Sequence, residues 1–520
     1  MKRSAWRIAA AAIAVVSLAC ARQGILLPGE GTPLPTVAAP ATLTPSRVPP
    51  TNTPPAPSAT AAPLPSATTI WTLVPPASPT FPATPTQVAT SSLPIVYRVQ
   101  AGDTLNALAI RFGVTPNDIQ VLQGNAPPQG LLNPGLQVVV PVRLGRTTAS
   151  DEFMPDSEVV FSASAAAFDV AAFAREKRGY LSHAQAENGS GSASAALKRL
   201  ALDNSVNPRL LLALLEHFGG WVTDPSPSGD ALNYPFGIYD ASAAGFAAQL
   251  IQATNRLGIG YYGWRDASLL ELGFRDGSRL RLAPELNAGT VAILYFFSVD
   301  ATDEADWLSD VQSFLATYRG LFGDPFARVD RFEPLYYPTL TQPELNLPFF
   351  AGQRWSFTGG PHGAWERDGA RAALDFAPPT SISGCAMSDL WVTASAPGQV
   401  VRSENGVVVL DLDGDGQEQT GWNLLYLHVA SANRVAAGAR LEAGDYIGHP
   451  SCEGGASNAT HLHLARKYNG EWISADGRIP FVMDGWTASS AGIEYDGYLT
   501  RGETQLEALE GITEVNMIVR

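Results

Sequence analysis

At 520 residues, with 45% of them hydrophobic, the chain has enough apolar material for roughly two to four domains with real cores. Its formal net charge is −15, and no stretch concentrates Lys and Arg, so nucleic-acid binding is excluded as an expectation.

Residues 1–20 read as an export signal. Lys2, Arg3 and Arg7 supply a positive start, and Ile8 to Val16 form an apolar run too short to span a bilayer. Ser17-Leu18-Ala19-Cys20 follows and resembles a lipoprotein signal, which implies a lipid on Cys20. The alternative is ordinary cleavage and release. Residues 21–94 are dominated by Pro, Thr, Ala and Ser, with pairs such as Pro49-Pro50, Pro54-Pro55 and Pro75-Pro76. No periodic apolar face is present, so the expectation is a disordered, partly extended stalk rising by about 3.1 Å per residue where it is polyproline-like.

Residues 95–143 form a compact unit. Val96, Tyr97 and Val99 predict a strand, and Gly102-Asp103-Thr104 leads into a helix with Leu105, Leu108, Ala109 and Phe112 on one face and Gly113 at its end. Thr115-Pro116-Asn117-Asp118 predicts a second helix start, and Asn133-Pro134-Gly135 a turn before the strand Gln137 to Val140. This βααβ pattern, carried by YRVQAGDTLNALAIRFGVTPNDIQVLQGN and LLNPGLQVVVP, resembles a LysM module. The resemblance implies binding to N-acetylglucosamine-containing glycans such as peptidoglycan. The groove would lie between Gly102, Asp103 and Thr104 on one side and the Leu131–Gly135 loop, with Asn133, Pro134 and Gly135, on the other.

Residues 150–340 read as mainly helical. Asn207-Pro208 opens a helix over Leu210 to Glu216 that is apolar all round and should be buried. Glu216 closes it, and burial there would raise a carboxyl's pKa. VNPRLLLALLE and LNAGTVAILYFF resemble the lysozyme-like, lytic-transglycosylase superfamily, which would make Glu216 an acid for glycan cleavage. The residues after it, His217-Phe218-Gly219, depart from that pattern, so a helical spacer or accessory binding domain is the competing expectation.

Five of the seven histidines, His362, His428, His449, His461 and His463, lie after residue 350, a clustering that suits metal or proton chemistry. In Thr460-His461-Leu462-His463-Leu464, strand alternation puts both histidines on one face and both leucines behind. Leu424 to His428 predicts another strand, with Tyr426 and His428 on a common face. Together with GGPHGAWERDGARAALDF and CEGGASNATHLHLA, these pieces resemble the M23 zinc endopeptidases over residues 346–485, in the β-lytic spacing that puts His362 thirteen positions before Asp375.

The resemblance implies an antiparallel β-rich domain with zinc on His362, Asp375 and His463, which leaves one position for water. It also implies His461 as general base and His428 as oxyanion stabiliser. His449 has no counterpart role and reads as structural. Setting Cys20 aside leaves Cys385 and Cys452, an even pair in an exported chain, and the same subgroup implies a disulfide between them. Asp411-Leu412-Asp413-Gly414-Asp415-Gly416 begins like a calcium loop, but Trp422 stands where the bidentate glutamate belongs, and flanking strands favour a hairpin turn.

The expectation for the whole is an exported protein, lipid-anchored or released, whose membrane contact is the anchor alone. A LysM module would hold it to peptidoglycan glycan, and a zinc peptidase domain would cut the wall's stem or cross-bridge peptides. Two alternatives remain: a non-catalytic wall-binding activator of another hydrolase, and a bifunctional enzyme that also uses Glu216. Residues 486–520 form an extension with no assigned role.

Overall fold

A computed structural model describes residues 94–122, 131–141, 143–187, 191–365, 367–379 and 384–520. The export signal, Cys20 and the proline-rich stalk lie outside the described residues. Among those described, no helix is long and apolar enough to cross a membrane.

The first unit pairs β1 (Ile95–Arg98) and β2 (Gln120–Val121) on either side of β3 (Gln137–Val140), with α1 (Leu105–Phe112) laid over them. Thr104 caps α1 by accepting from the Ala107 amide, and Gly113 ends it in the left-handed conformation. Tyr97, Leu108, Phe112 and Val138 close a small core of their own. The expected second helix is only a 3-10 turn, Pro116–Asp118, closed by a Thr115/Asp118 capping box. Ile119 then turns extended and buries, and the chain joins the sheet.

The middle region is built on α2 (Val170–Lys177), α3 (Ala193–Asn204), α4 (Pro208–Gly219), α5 (Asp230–Asn233), α6 (Phe246–Arg265), α7 (Ala288–Ser298), α8 (Glu304–Phe322) and α9 (Val329–Phe332). A hairpin of β4 (Glu271–Gly273) and β5 (Arg279–Arg281) interrupts them. As read from the sequence, Asn207 caps α4, Pro208 fills its first turn, and Leu210 to Leu215 are fully buried.

The C-terminal region is an antiparallel β assembly. β6 (Arg354–His362), β7 (Ala373–Ala377), β9 (Gly398–Glu404), β10 (Val407–Asp411), β11 (Trp422–Leu427), β12 (Arg440–Leu441), β14 (Leu462–Tyr468) and β20 (Met517–Val519) run in the order β12-β9-β10-β11-β14-β7-β6-β20. β15 (Glu471–Trp472) pairs off β14, and β8 (Val392–Thr393) pairs β13 (Tyr446–Gly448). The chain past residue 485 is integral to this region. β16 (Val482–Met483), β17 (Trp486–Ser490), β18 (Gly497–Arg501) and β19 (Thr504–Glu507) form a second sheet, while β20 completes the edge beside β6.

Strand alternation divides the main sheet into two apolar faces. Val408, Leu410, Leu424, Tyr426, Leu462 and Leu464 face a core shared with Trp355 and Phe357. Val407, Val409, Leu425, Leu427 and Ala465 face the opposite way and join the core of the helices. The helical region is therefore packed on the sheet rather than tethered beside it. Buried ion pairs cross the seam: Arg402 with Asp203 of α3, and Arg265 of α6 with Glu471 of β15 at 3.0 Å.

Candidate metal centre

His362 ends β6, Asp375 lies in β7 and His463 in β14, three neighbouring strands of the sheet. The register sets Asp375 directly opposite His463. On the other side Gly359 opposes Asp375, where a β-carbon would lie 2.7 Å from the carboxylate Oδ2. Glycine at 359 therefore leaves room for the acid. A β-carbon at Gly360 would meet the backbone nitrogen of Gly497 at 2.7 Å, so the Gly-Gly pair before His362 admits both the acid and the C-terminal hairpin.

All three groups are buried. His362 Nε2 lies 3.0 Å from His463 Nδ1, and each is 3.3 Å from Asp375 Oδ1. Around a tetrahedral zinc with bonds near 2.0 Å, neighbouring donor atoms are separated by about 3.3 Å. The outer nitrogens are already committed: His362 Nδ1 to Gly360 O at 2.8 Å, and His463 Nε2 to Ala364 O at 3.0 Å. A carbonyl only accepts, so those nitrogens carry the protons and the inner lone pairs converge. Asp375 Oδ1 is a buried acceptor with no hydrogen-bond donor. Two facing lone pairs and an orphaned carboxylate oxygen at these separations fit a divalent cation.

Burial alone would raise the Asp375 pKa, but His362 and His461 outweigh it and hold the carboxyl well below its ordinary range. Burial would lower His362, yet Asp375 raises it, whereas burial keeps His463 low.

His461 sits just before β14, its Nδ1 2.8 Å from Ala459 O and its Nε2 3.7 Å from Asp375 Oδ2. Leu462 and Leu464 point into the opposite core, so the alternation read from the sequence holds. Tyr426 and His428 do not share a face, a correction to the sequence reading. Tyr426 stays in the inner core, with its hydroxyl accepting from Ser395 N at 2.8 Å. β11 ends at Leu427, and His428 takes φ +67, a rare conformation for a side-chain-bearing residue, which turns its ring toward His461, 4.5 Å away between centroids. Its Nδ1 is held by Glu453 O at 3.0 Å. Burial, then the neighbouring His461 and His463, push its pKa down to about 3, so the ring is neutral.

One neighbour escaped the sequence reading. Tyr495, between β17 and β18, stacks on His362 with centroids 4.2 Å apart, and its carbonyl accepts from Gly360 N at 2.7 Å. Its φ of +69 is a second left-handed backbone at the site. Only the glycines at 359 and 360, which admit close approach, hinted that something packs there.

The other singled-out residues fall as follows. Cys385 and Cys452 form a disulfide closing 67 residues, with Cys452 nine positions before His461. His449 is buried, bonds Leu390 O at 2.9 Å and packs against Trp391 with its ring tilted, a structural placement. The carboxylates of Asp411, Asp413 and Asp415 converge, but those of Asp411 are taken up by the amides of Asp413, Gly414 and Gly416, as in a hairpin turn. Glu216 is partly buried near the end of α4 and is not among the converging donors. It accepts from the amides of Val222 and Thr223 at 2.9 and 3.1 Å and from the Thr223 hydroxyl, tying the turn that follows α4. In the small module Gly102 and Asp103 are buried, Asp103 pairs with Arg111 at 2.8 Å, and Asn133 and Gly135 are exposed.

The sheet face bearing the donors is the one on which the helices pack. The loop from His362 to Asp375 lies against α6: Ala364 and Trp365 line a cavity with Thr254, Gly258 and Tyr262.

An antiparallel sheet thus gathers two imidazoles and a carboxylate, with two further imidazoles alongside, in an arrangement that fits a metal centre. Residues 97–141 match the LysM domain family, and residues 152–334 match the family described as LasA, N-terminal domain. Protease LasA of Pseudomonas aeruginosa is 29% identical over 299 residues, 52% of this chain and 65% of that protein, so the match spans just under two thirds of the relative. Among solved structures, the M23 metalloprotease pseudoalterin is 22% identical with a TM-score of 0.28, covering 35% of this chain and 99% of that one. The catalytic domain of lysostaphin from Staphylococcus simulans is 23% identical with a TM-score of 0.17, covering 23% and 87%. The resemblance to an M23-type peptidase with a LysM module is borne out.

Proposed function

We propose that the chain is a zinc-dependent endopeptidase that hydrolyses peptide bonds in bacterial peptidoglycan, exported and held at the cell surface through Cys20 or released. The observation that carries this reading is the convergence of His362 Nε2, His463 Nδ1 and Asp375 Oδ1 at zinc-like separations around an otherwise orphaned carboxylate oxygen. When bound, zinc would polarise the scissile carbonyl and acidify a water. The chain's own residues do the rest. His461, with Nδ1 tied to Ala459 O, offers Nε2 to take the proton of the attacking water. His428 is likewise tied at Nδ1, so its free Nε2 accepts. His461 then delivers that proton to the departing amine, and His428 would stabilise the oxyanion only as an imidazolium that donates from Nε2. The LysM module, through Gly102, Asp103, Thr104, Asn133, Pro134 and Gly135, would hold the enzyme on glycan strands. Because the helical region packs on the catalytic face, the intact chain is a latent form that gains activity when that region is displaced.

Retention of a full donor set weighs against a non-catalytic wall-binding activator. The engagement of Glu216 in its own turn weighs against a second, glycan-cleaving centre. The test is mass spectrometry of fragments released from purified peptidoglycan, before and after limited proteolysis at residues 337–344. New amino termini on stem or cross-bridge peptides, abolished by chelation, are expected. Glycan-strand products alone, or no products in either form with zinc bound, would overturn it.

A further inference from the structure

The small module does not hang free of the rest of the chain. Arg265, at the end of α6, donates to Ala101 O and to Asp156 and Glu471 at 2.7 and 3.0 Å. Gly102 takes φ +91 against that guanidinium, and a β-carbon there would meet both Arg265 and the Tyr336 hydroxyl, the latter at 2.9 Å. Gln100 reaches Glu152 at 2.6 Å and Glu285 O at 2.7 Å. Arg111 donates to Trp264 O at 2.8 Å with its guanidinium over that indole, and Arg281 donates back to Arg111 O at 3.1 Å. Leu131, bridged to Thr104, packs on the helical core. Half of the module's candidate glycan groove, Gly102 to Thr104, is therefore turned into the protein, while Asn133 and Gly135 stay exposed.

We propose that the α6 end, through Arg265 and Tyr336, masks the module's glycan groove, so that an N-acetylglucosamine chain and the helical region compete for one surface. This rests on the LysM reading above and adds its regulation. The apparent affinity of the intact chain is then reduced by the fraction of molecules in which the module is undocked. Linkage makes the effect reciprocal: glycan bound to the module favours release of Arg265, which also grips Glu471 on the strand beside β14.

The test titrates the full-length protein with a soluble N-acetylglucosamine pentamer. It compares wild type with the double variant Glu152→Ala/Arg281→Ala, which loosens the rim and leaves the groove residues intact, and follows hydrogen exchange at residues 100–104 and 262–266. Arg265→Ala is the more direct change. The rim variant keeps the test decisive if Arg265→Ala does not fold, since Arg265 neutralises two buried acids. The expected result is at least a tenfold tighter dissociation constant in the rim variant, with ligand speeding exchange at 262–266 in wild type. Equal affinities with exchange at 262–266 unchanged would overturn the masking. Residues 94–143, whose core closes on itself, serve as the control. Binding by that fragment but not by the intact chain supports the proposal, and failure of the fragment itself to bind overturns the glycan reading on which the proposal stands.

Discussion

His463 and His461 stand two residues apart on one face, yet their surroundings differ, so their alanine variants should fail differently. His463 has both nitrogens committed, Nδ1 inward at 3.0 Å from His362 and 3.3 Å from Asp375, and Nε2 outward to Ala364. Disturbing an outer partner of a metal ligand costs about 10–100-fold in metal affinity, and removing a ligand outright costs more. His463→Ala should therefore purify with well under stoichiometric zinc and no measurable hydrolysis. His461 approaches Asp375 only at 3.7 Å and at Oδ2, the oxygen turned away from the other two donors. Its loss leaves His362, Asp375 Oδ1 and His463 in place. His461→Ala should keep near-stoichiometric zinc and lose about 10²–10⁴-fold in rate, the contribution of one positioned acid-base group. Elemental analysis beside hydrolysis of a wall peptide by the proteolytically released form reads both quantities. If His461→Ala loses zinc as His463→Ala does, the division of labour is wrong. If wild type purified with zinc present holds none, the peptidase reading gives way to a wall-binding scaffold.

Reduction of Cys385–Cys452 should lower thermal stability and activity together. A closed loop of 67 residues contributes about 4 kcal/mol in the chain-entropy picture, and a differential scan that does not move on reduction would refute this. Glu216→Gln should leave wall lysis nearly unchanged, because the carboxylate serves a local turn; loss of glycan-strand products in that variant would establish a second centre. Burial, reinforced by Asp156, Glu333 and Asp103, raises the Glu152 carboxyl to about 8, and burial with Asp156 raises Glu333 to about 7. The folded chain thus holds protons that the unfolded chain releases near pH 4.5, so this contribution to stability is complete in acid and is lost as pH rises toward 8. Intrinsic-rate-corrected hydrogen exchange at Gln100 to Asp103 should speed between pH 6 and 9 in wild type and stay flat in Glu152→Gln.

The sequence made the local elements readable because their signals are local. Asn207-Pro208 marks the start of α4, Thr104 and Gly113 bracket α1, and the leucines behind His461 and His463 disclose a strand buried on both sides. The donors were legible only through spacing typical of a family, since Asp375 is brought to His463 by a β pairing across 88 positions of chain. What could not be read was set by tertiary contact. The second helix of the small module gives way to a strand because Ile119 finds a buried place beside β3. His428 leaves its strand's alternation through one left-handed residue. Tyr495 reaches His362 from a hairpin more than a hundred residues away, with no local pattern to announce it.

The helical and strand regions share one core. A strand such as Val407 to Asp411 is buried at every position and apolar from Val407 to Leu410, which the sequence alone could assign to any doubly covered sheet. The cover on the inner face comes from the strand region itself, through Trp355 and Phe357. The cover on the outer face comes from the helices, which place Trp264 and Tyr261 in one continuous core with Leu425, Leu427 and Ala465. Displacing the helices would expose those residues, which lie on the same face of the sheet as Asp375 and His463.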